Sequence, residues 1–198
     1  MRQSFIFGTI RAWLPFALLV SACAGLIYVA VQQDLRQGAD DPQIQIAEDA
    51  ARAIEAGASA DTIVPKQTVD AGVSLAPWVA VYDASGTLVA SSGKLDGAAL
   101  PIPQGFFNER TWEANKIHPS PAGDETRVTW EPETGVRHAV VIIHMIVGPK
   151  GGYVVAGRSL RDVETREDML TLETELWWAG IMFAMLVLIG CIRFFRKT

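Results

Sequence analysis

Apolar positions follow three regimes along the chain. At both ends they run unbroken: residues 12–31 are 20 positions without a charge, and residues 176–192 are 17. At about 1.5 Å of rise per residue the first run crosses a hydrocarbon core of roughly 30 Å, and the second lies at the short end of the usual range. Both read as transmembrane helices, with Pro15 in the first turn of the first run, where it costs little. Between the runs the apolar residues are periodic, which is the signature of a folded domain over residues 32–175.

That middle region opens with a helix. Asp41 and Pro42 supply a start, with Asp as cap and Pro in the first helical position. Ile44, Ala47, Ala51 and Ile54 recur at helical spacing, and Gly57 is a stop. Residues 58–77 fit either a short helix or a loop. From Trp78 the pattern turns to strands: residues 78–82 and 87–91 flank Asp83-Ala84-Ser85-Gly86 as a hairpin. Residues 93–123 are rich in proline and glycine, with a short helix expected near residues 106–114; such a long irregular insert is often functional. Strands are expected at 127–130, 137–147 and 153–158, with turns at 131–135 and 148–152. Residues 139–143 are apolar at every position, so this strand is covered on both faces, by the helix at 42–56 and by the insert. A polar helix over 161–175, with Asp162 and Arg166 as an i,i+4 pair, runs on without a turn signal into the second apolar run. The expected fold is α+β: a five-stranded antiparallel sheet with flanking helices, between two transmembrane helices.

Charge orients this plan. All 22 acidic residues lie between the apolar runs, against 12 of the 17 basic ones, a net of −10 for the middle. The ends carry Arg2, Arg11, Arg193, Arg196 and Lys197 and no acid. Short basic flanks stay in the cytoplasm, so residues 1–11 and 193–198 are expected inside and the middle domain outside, as in a bacterial inner-membrane protein. Trp13, Trp177 and Trp178 fit interfacial anchors. Val20-Ser21-Ala22-Cys23 resembles a lipoprotein cleavage box, but the chain stays apolar through residue 31, which favours a spanning helix over a cleaved signal and leaves lipidation of Cys23 as the alternative. Cys23 and Cys191 sit at different depths and do not pair, and the middle domain needs no disulfide. An acidic domain argues against nucleic acid and anionic lipid as ligands.

The segments ADDPQIQIAEDAARAIEAG, PWVAVYDASGTLVASSG, RVTWEPETGVRHAVVI and YVVAGRSLRDVETRED, in this order between two membrane runs, resemble the extracytoplasmic PAS-like or Cache-type sensor domains of bacterial receptors and sensor histidine kinases. The resemblance implies a ligand between sheet and insert, and a last helix that carries the signal inward. Such receptors continue past the second membrane helix into output modules. This chain ends at Thr198, six residues after Ile192. The expectation is therefore a sensor whose signal passes to a separate partner, or an accessory or assembly subunit of a larger membrane complex that uses the domain for docking.

Candidate chemistry is sparse, and an enzyme is not expected. Phosphate loops, GxSxG and HExxH are missing. His118, His138 and His144 are the histidines; the last two share strand parity but lie roughly 20 Å apart at about 3.3 Å per residue, so no metal or other cofactor is expected. Trp130, Arg137, His144 and Tyr153 form the ligand-site candidate, an apolar wall with a cation suited to a carboxylate. The plainer account makes Trp130 and Tyr153 core, Arg137 surface and His144 buried and bonded. Ala17, Ser21 and Gly25 in the first run, and Gly180 and Ala184 in the second, recur every four residues and permit close helix packing, either of the chain's own two helices or with a partner's. The partners expected are thus the bilayer, another membrane protein, a small ligand and a second copy of the chain.

Overall fold

The structure, a computed structural model, describes residues 2–38, 40–107, 116–120, 122–145 and 151–196. They divide into two units, one of residues 1–36 with 164–198 and one of residues 37–163.

The first unit is a pair of helices. Helix α1 covers Arg2–Gly38, and the last helix, α4, covers Arg161–Phe195. Each is long and apolar enough to cross a membrane. Because α1 starts at Arg2, Pro15 lies inside it rather than in its first turn, and the helix forgoes the backbone bond that a residue-15 N–H would make. The two helices run antiparallel, with bridging contacts spread along their length. The Arg193 guanidinium donates to the Gly8 carbonyl at 2.9 Å, and the Trp13 indole N–H donates to the Met182 carbonyl at 3.2 Å. Trp178 donates to the Ser21 hydroxyl at 3.0 Å. Tyr28 and Thr171 share a hydroxyl bond at 3.1 Å, and Arg36 pairs with Glu167 at 2.8 Å. Trp13 and Trp178 thus turn their indole N–H groups to the partner helix, whereas Trp177 is exposed.

The second unit is α+β. Helix α2, Asp41–Glu55, is followed by the one-turn α3, Ala60–Ile63. Asp41 is the first helical residue, so the cap position falls to Asp40, whose side chain makes no capping bond. The helix ends before Gly57, whose φ of 95° suits a residue without Cβ. Strands follow as β1 (Val69–Asp70), β2 (Trp78–Asp83), β3 (Leu88–Ser91), β4 (Gly93–Leu95), β5 (Ala98–Ala99), β6 (Lys116–Ser120), β7 (Gly123–Glu133), β8 (Val136–Met145) and β9 (Gly152–Ser159).

The five strands expected from the pattern form one antiparallel sheet in the order β3-β2-β9-β8-β7, and β6 adds a sixth beyond β7. The insert is less irregular than its composition implies. Its β4 pairs with β1 in parallel and with β5 in a small second sheet, and Gln104–Phe107 forms a 3-10 turn. The rest of the short helix expected there, and most of the 148–152 turn, lie outside the described residues.

The sheet has two apolar faces, as the pattern of β8 requires. On one face Ala47 and Ala51 of α2 pack on Val79, Val141, Ile143 and Val154, with Ile44 and Ile54 at the margin. On the other, Leu95, Leu100, Ile102 and Phe107 from the insert cover Ala80, Val140, Ile142 and Val155. Successive residues of β8 thus serve opposite cores. Val140, Val141, Ile142 and Ile143 are all buried, and burial of each such side chain stabilises the fold by about 1.5–3 kcal/mol.

Candidate functional site

The insert-side face of the sheet carries two aromatic clusters, set at opposite ends of β8. The first is Trp78, Trp130 and His138. Trp130 and His138 are cross-strand partners, and Trp78 crosses both rings near edge-on at centroid distances of 6.3 and 6.2 Å. The Trp78 indole N–H points at His138 Nδ1, 3.4 Å away. His138 is fully buried, and its Nε2 has no hydrogen-bond partner. Burial pulls the His138 pKa below the ordinary histidine value; the Ala71 carbonyl opposes this in part but is not placed to close a hydrogen bond on Nε2.

The second cluster is Tyr82, Phe107, Tyr153 and His144. Phe107 lies between the two tyrosines at 4.8 and 4.7 Å, and His144 stacks on Tyr153 at 4.7 Å and 17°. The Tyr153 hydroxyl donates to the Phe107 carbonyl at 3.1 Å, which ties the insert to β9. Burial pushes the Tyr82 phenol up, so it stays neutral.

The four ligand-site candidates are therefore divided. Trp130 belongs to the first cluster, His144 and Tyr153 to the second, and Arg137 is exposed with the opposite strand parity, towards the α2 side. Trp130 and Tyr153 are part of the core. Among the described residues, Leu100, Ile102, Phe106 and Phe107 pack where the space between sheet and insert was expected. Trp78, Tyr82 and Phe107 carry no signal of a site in the sequence, and His138 is weighed there only as a metal ligand. The available signal was the shared parity of His138 and His144 along β8.

A groove of about 620 Å³ opens on the α2 side, beside the β2–β3 hairpin, lined among others by Ile54, Val81, Val89, Met145, Asp61 and Asp83. The Asp83 carboxylate is consumed by its own turn. It accepts from the Ser85 hydroxyl at 2.6 Å and from the Ser85 and Thr87 amides at 2.8 and 2.9 Å, and these bonds hold it below the usual carboxylate range. Near the start of α2, Arg127 pairs with the buried Glu125 at 2.6 Å. Burial raises the Asp40 carboxyl there, and Arg127 offsets part of that rise. Among the described residues no three His, Cys, Asp or Glu side chains are grouped to hold a metal.

In the helix pair the small residues separate. Ala17 is buried, and Ser21 accepts from Trp178. A Cβ added at Gly25 or Gly180 would meet nothing within 4 Å, and Ala184 is exposed. Ala17 and Ser21 thus belong to the pair's contact, Gly25 lines an open groove between the helices with Ser21, Tyr28, Thr171 and Trp178, and Gly180 and Ala184 stand outside the contact. The α4 residues turned to α1 are larger, Thr171, Trp178 and Met182 among them.

With this geometry in hand, comparison of the chain with protein-family models, with curated proteins and with solved structures finds no match.

Proposed function

We propose that this chain is a membrane-anchored sensor module that holds its α+β domain outside the cytoplasm and passes the domain's state through α4 to a separate membrane partner. One observation carries the reading: β9, an inner strand of the sheet, is joined to α4 by Leu160 alone, and α4 is unbroken for 35 residues. A change in β9 reaches the apolar helix with no flexible linker to absorb it.

The junction is also braced. The Leu160 amide donates to the Arg137 carbonyl at 2.8 Å, and the Arg158 guanidinium donates to the Leu75 carbonyl at 3.0 Å. Arg161 donates to the Val73 carbonyl, and Arg158 lies 3.9 Å from Asp162. Exposed ion pairs of this kind contribute little singly, so the bracing rests on the backbone bonds. The antiparallel helix pair and the basic residues at its open end support an arrangement with both termini in the cytoplasm. The resemblance of the sequence, in the order of its segments, to PAS-like sensor domains supports the sensor class.

The apolar packing of the described insert residues on the sheet favours a second reading, an accessory subunit of a larger membrane complex that uses the domain as a docking surface. Gentle detergent purification of the tagged full chain, with mass spectrometry of bound proteins, separates the two. Recovery of a kinase or receptor supports the sensor. Recovery of an energy-converting, transport or secretion complex supports the subunit. If only the chain itself is recovered, both readings fail as stated.

A further inference from the structure

The neutral state of His138 is built into the core. An indole N–H donates and never accepts, so His138 Nδ1 is the acceptor of the Trp78 contact and the ring proton sits on Nε2. Protonation of the ring would place a second proton on Nδ1, facing the Trp78 N–H donor to donor. It would also place a positive charge in a site walled by Trp78 and Trp130, away from water. A cation gains some attraction over an aromatic face, but here both indoles are tilted well away from stacking, at 61° and 45° to the imidazole and about 6 Å away. The lost hydrogen bond and the desolvated charge outweigh that gain.

Among the described residues, the groups around the ring offer no counter-ion. From β7 the neighbour is Trp130, from β2 Trp78, from β9 the cross-strand partner Ser159, and from the segment after β1 the Ala71 carbonyl. The nearby charges are engaged or turned elsewhere. Asp70 accepts from the Gly72 amide, Arg158 donates to Leu75, and Arg137 is exposed with the opposite strand parity. Lys94 flanks Ala71 through its backbone carbonyl.

Position gives the ring leverage. His138 is in register with Ser159, two residues before α4 begins at Arg161, and two pairs along, Val140 with Gly157 holds the glycine against which Trp78 rests. We propose that His138 is the domain's acid sensor: protonation breaks the Trp78–His138 contact and loosens the Gly157–Ser159 end of β9 that leads into α4, so the stimulus is proton activity. This rests on the reading that α4 carries the domain's state.

The direction follows from the depressed folded value. Above the unfolded histidine pKa of about 6.5 the contribution to stability is complete. It is lost as pH falls through the folded value.

The test uses the full chain in detergent micelles, with ¹⁵N-labelled histidine rings followed by NMR and amide exchange followed by mass spectrometry, corrected for intrinsic pH dependence. The expected result is an Nε2–H ring for His138 at pH 7.5 that titrates below pH 6.5. Exchange over residues 157–163 should rise on the order of tenfold between pH 7.5 and 5, a rise that His138→Gln abolishes and His144→Gln retains. Should His138→Gln fail to fold, Trp78→Phe keeps an aromatic ring but removes the donor, and His138 should then titrate at a higher pH. An Nδ1–H tautomer, titration at or above pH 6.5, or a junction whose exchange ignores pH would overturn the proposal. A silent junction beside an intact kinase or receptor complex removes the proton trigger alone, whereas loss of any such partner removes the sensor reading.

Discussion

Trp78 lies against Gly157, so close that a Cβ on residue 157 would overlap the six-membered ring of the indole. Gly93 lies close to the same indole, but a Cβ there would meet Leu100 first. The indole thus fits because β9 carries glycine where it crosses, and Gly157 is required for that space rather than for an unusual φ. Gly157→Ala should therefore cost about 1–3 kcal/mol, the usual penalty for overpacking a filled core. The check is thermal unfolding together with near-ultraviolet circular dichroism of the tryptophans. Trp78→Leu should relieve most of the alanine's added cost, so the pair should be strongly non-additive. Additive losses would mean that the indole does not sit on Gly157.

The Glu125–Arg127 pair makes a second prediction. Glu125 is 4% exposed at its side chain and Arg127 32%, so the carboxylate depends on the guanidinium more than the reverse. Arg127→Ala leaves a buried charge without its partner and should destabilise by about 2–4 kcal/mol, somewhat less than a fully buried pair would lose. Adding Glu125→Gln to it should recover part of that loss. Chemical denaturation of the four combinations measures the coupling. A double variant no more stable than Arg127→Ala would show that the pair is not what holds Glu125.

Much of the architecture was legible from spacing. Each continuous apolar run of 17–20 residues lies in a helix long and apolar enough to cross a membrane, and an apolar strand with no parity, residues 139–143, needed cover on both faces and has it. The unbroken helix from Arg161 followed from the lack of any turn signal. What spacing could not fix was which side chains meet across strands. Trp130, which faces His138 from β7, and His144 share a face but sit at opposite ends of β8. Arg137 has the wrong parity to join them. Trp78 reads as one more strand residue until Gly157, distant in sequence, is brought against it. The small-residue stripes divide for a related reason. A period of four marks a helix face but not its partner, and the face of α4 turned to α1 carries Thr171, Trp178 and Met182 instead.

Asp40 makes a pH-dependent prediction of opposite sign to that of His138. Burial raises its carboxyl and Arg127 lowers it, with burial the larger effect. A raised folded pKa means that the folded state holds the proton longer. Its contribution is then favourable at low pH and is lost as pH climbs past the ordinary aspartate value of 3.8 through the folded one. The side chain also makes no capping bond, so its removal sacrifices no such contact. Asp40→Asn should raise the melting temperature slightly at pH 7, an effect within about 0.5 kcal/mol because the group is only half-buried. At pH 3 the gain should vanish. A loss of stability at pH 7 would show that the carboxylate does cap α2.

The helix pair gives the last prediction, because its contact line is specific. Ala17 is 7% exposed, and Ser21 receives the Trp178 indole bond, whereas Gly25 and Gly180 face open space. Enlarging the first position should part the helices; enlarging the glycines should not. In a chain stripped of Cys23 and Cys191, cysteines placed at Tyr28 and Thr171, which now touch through their hydroxyls, report the pairing through a short bis-maleimide cross-linker. Ala17→Leu should lower the cross-linked fraction several-fold, since close approach of backbones is what small residues provide. Trp178→Phe should have a smaller effect, as an interhelical hydrogen bond within a membrane averages about 0.6 kcal/mol. Gly25→Leu and Gly180→Leu should leave the fraction unchanged. If Gly180→Leu instead abolished cross-linking, the contact face of α4 would be the small-residue stripe, and the pair would be rotated from the arrangement described.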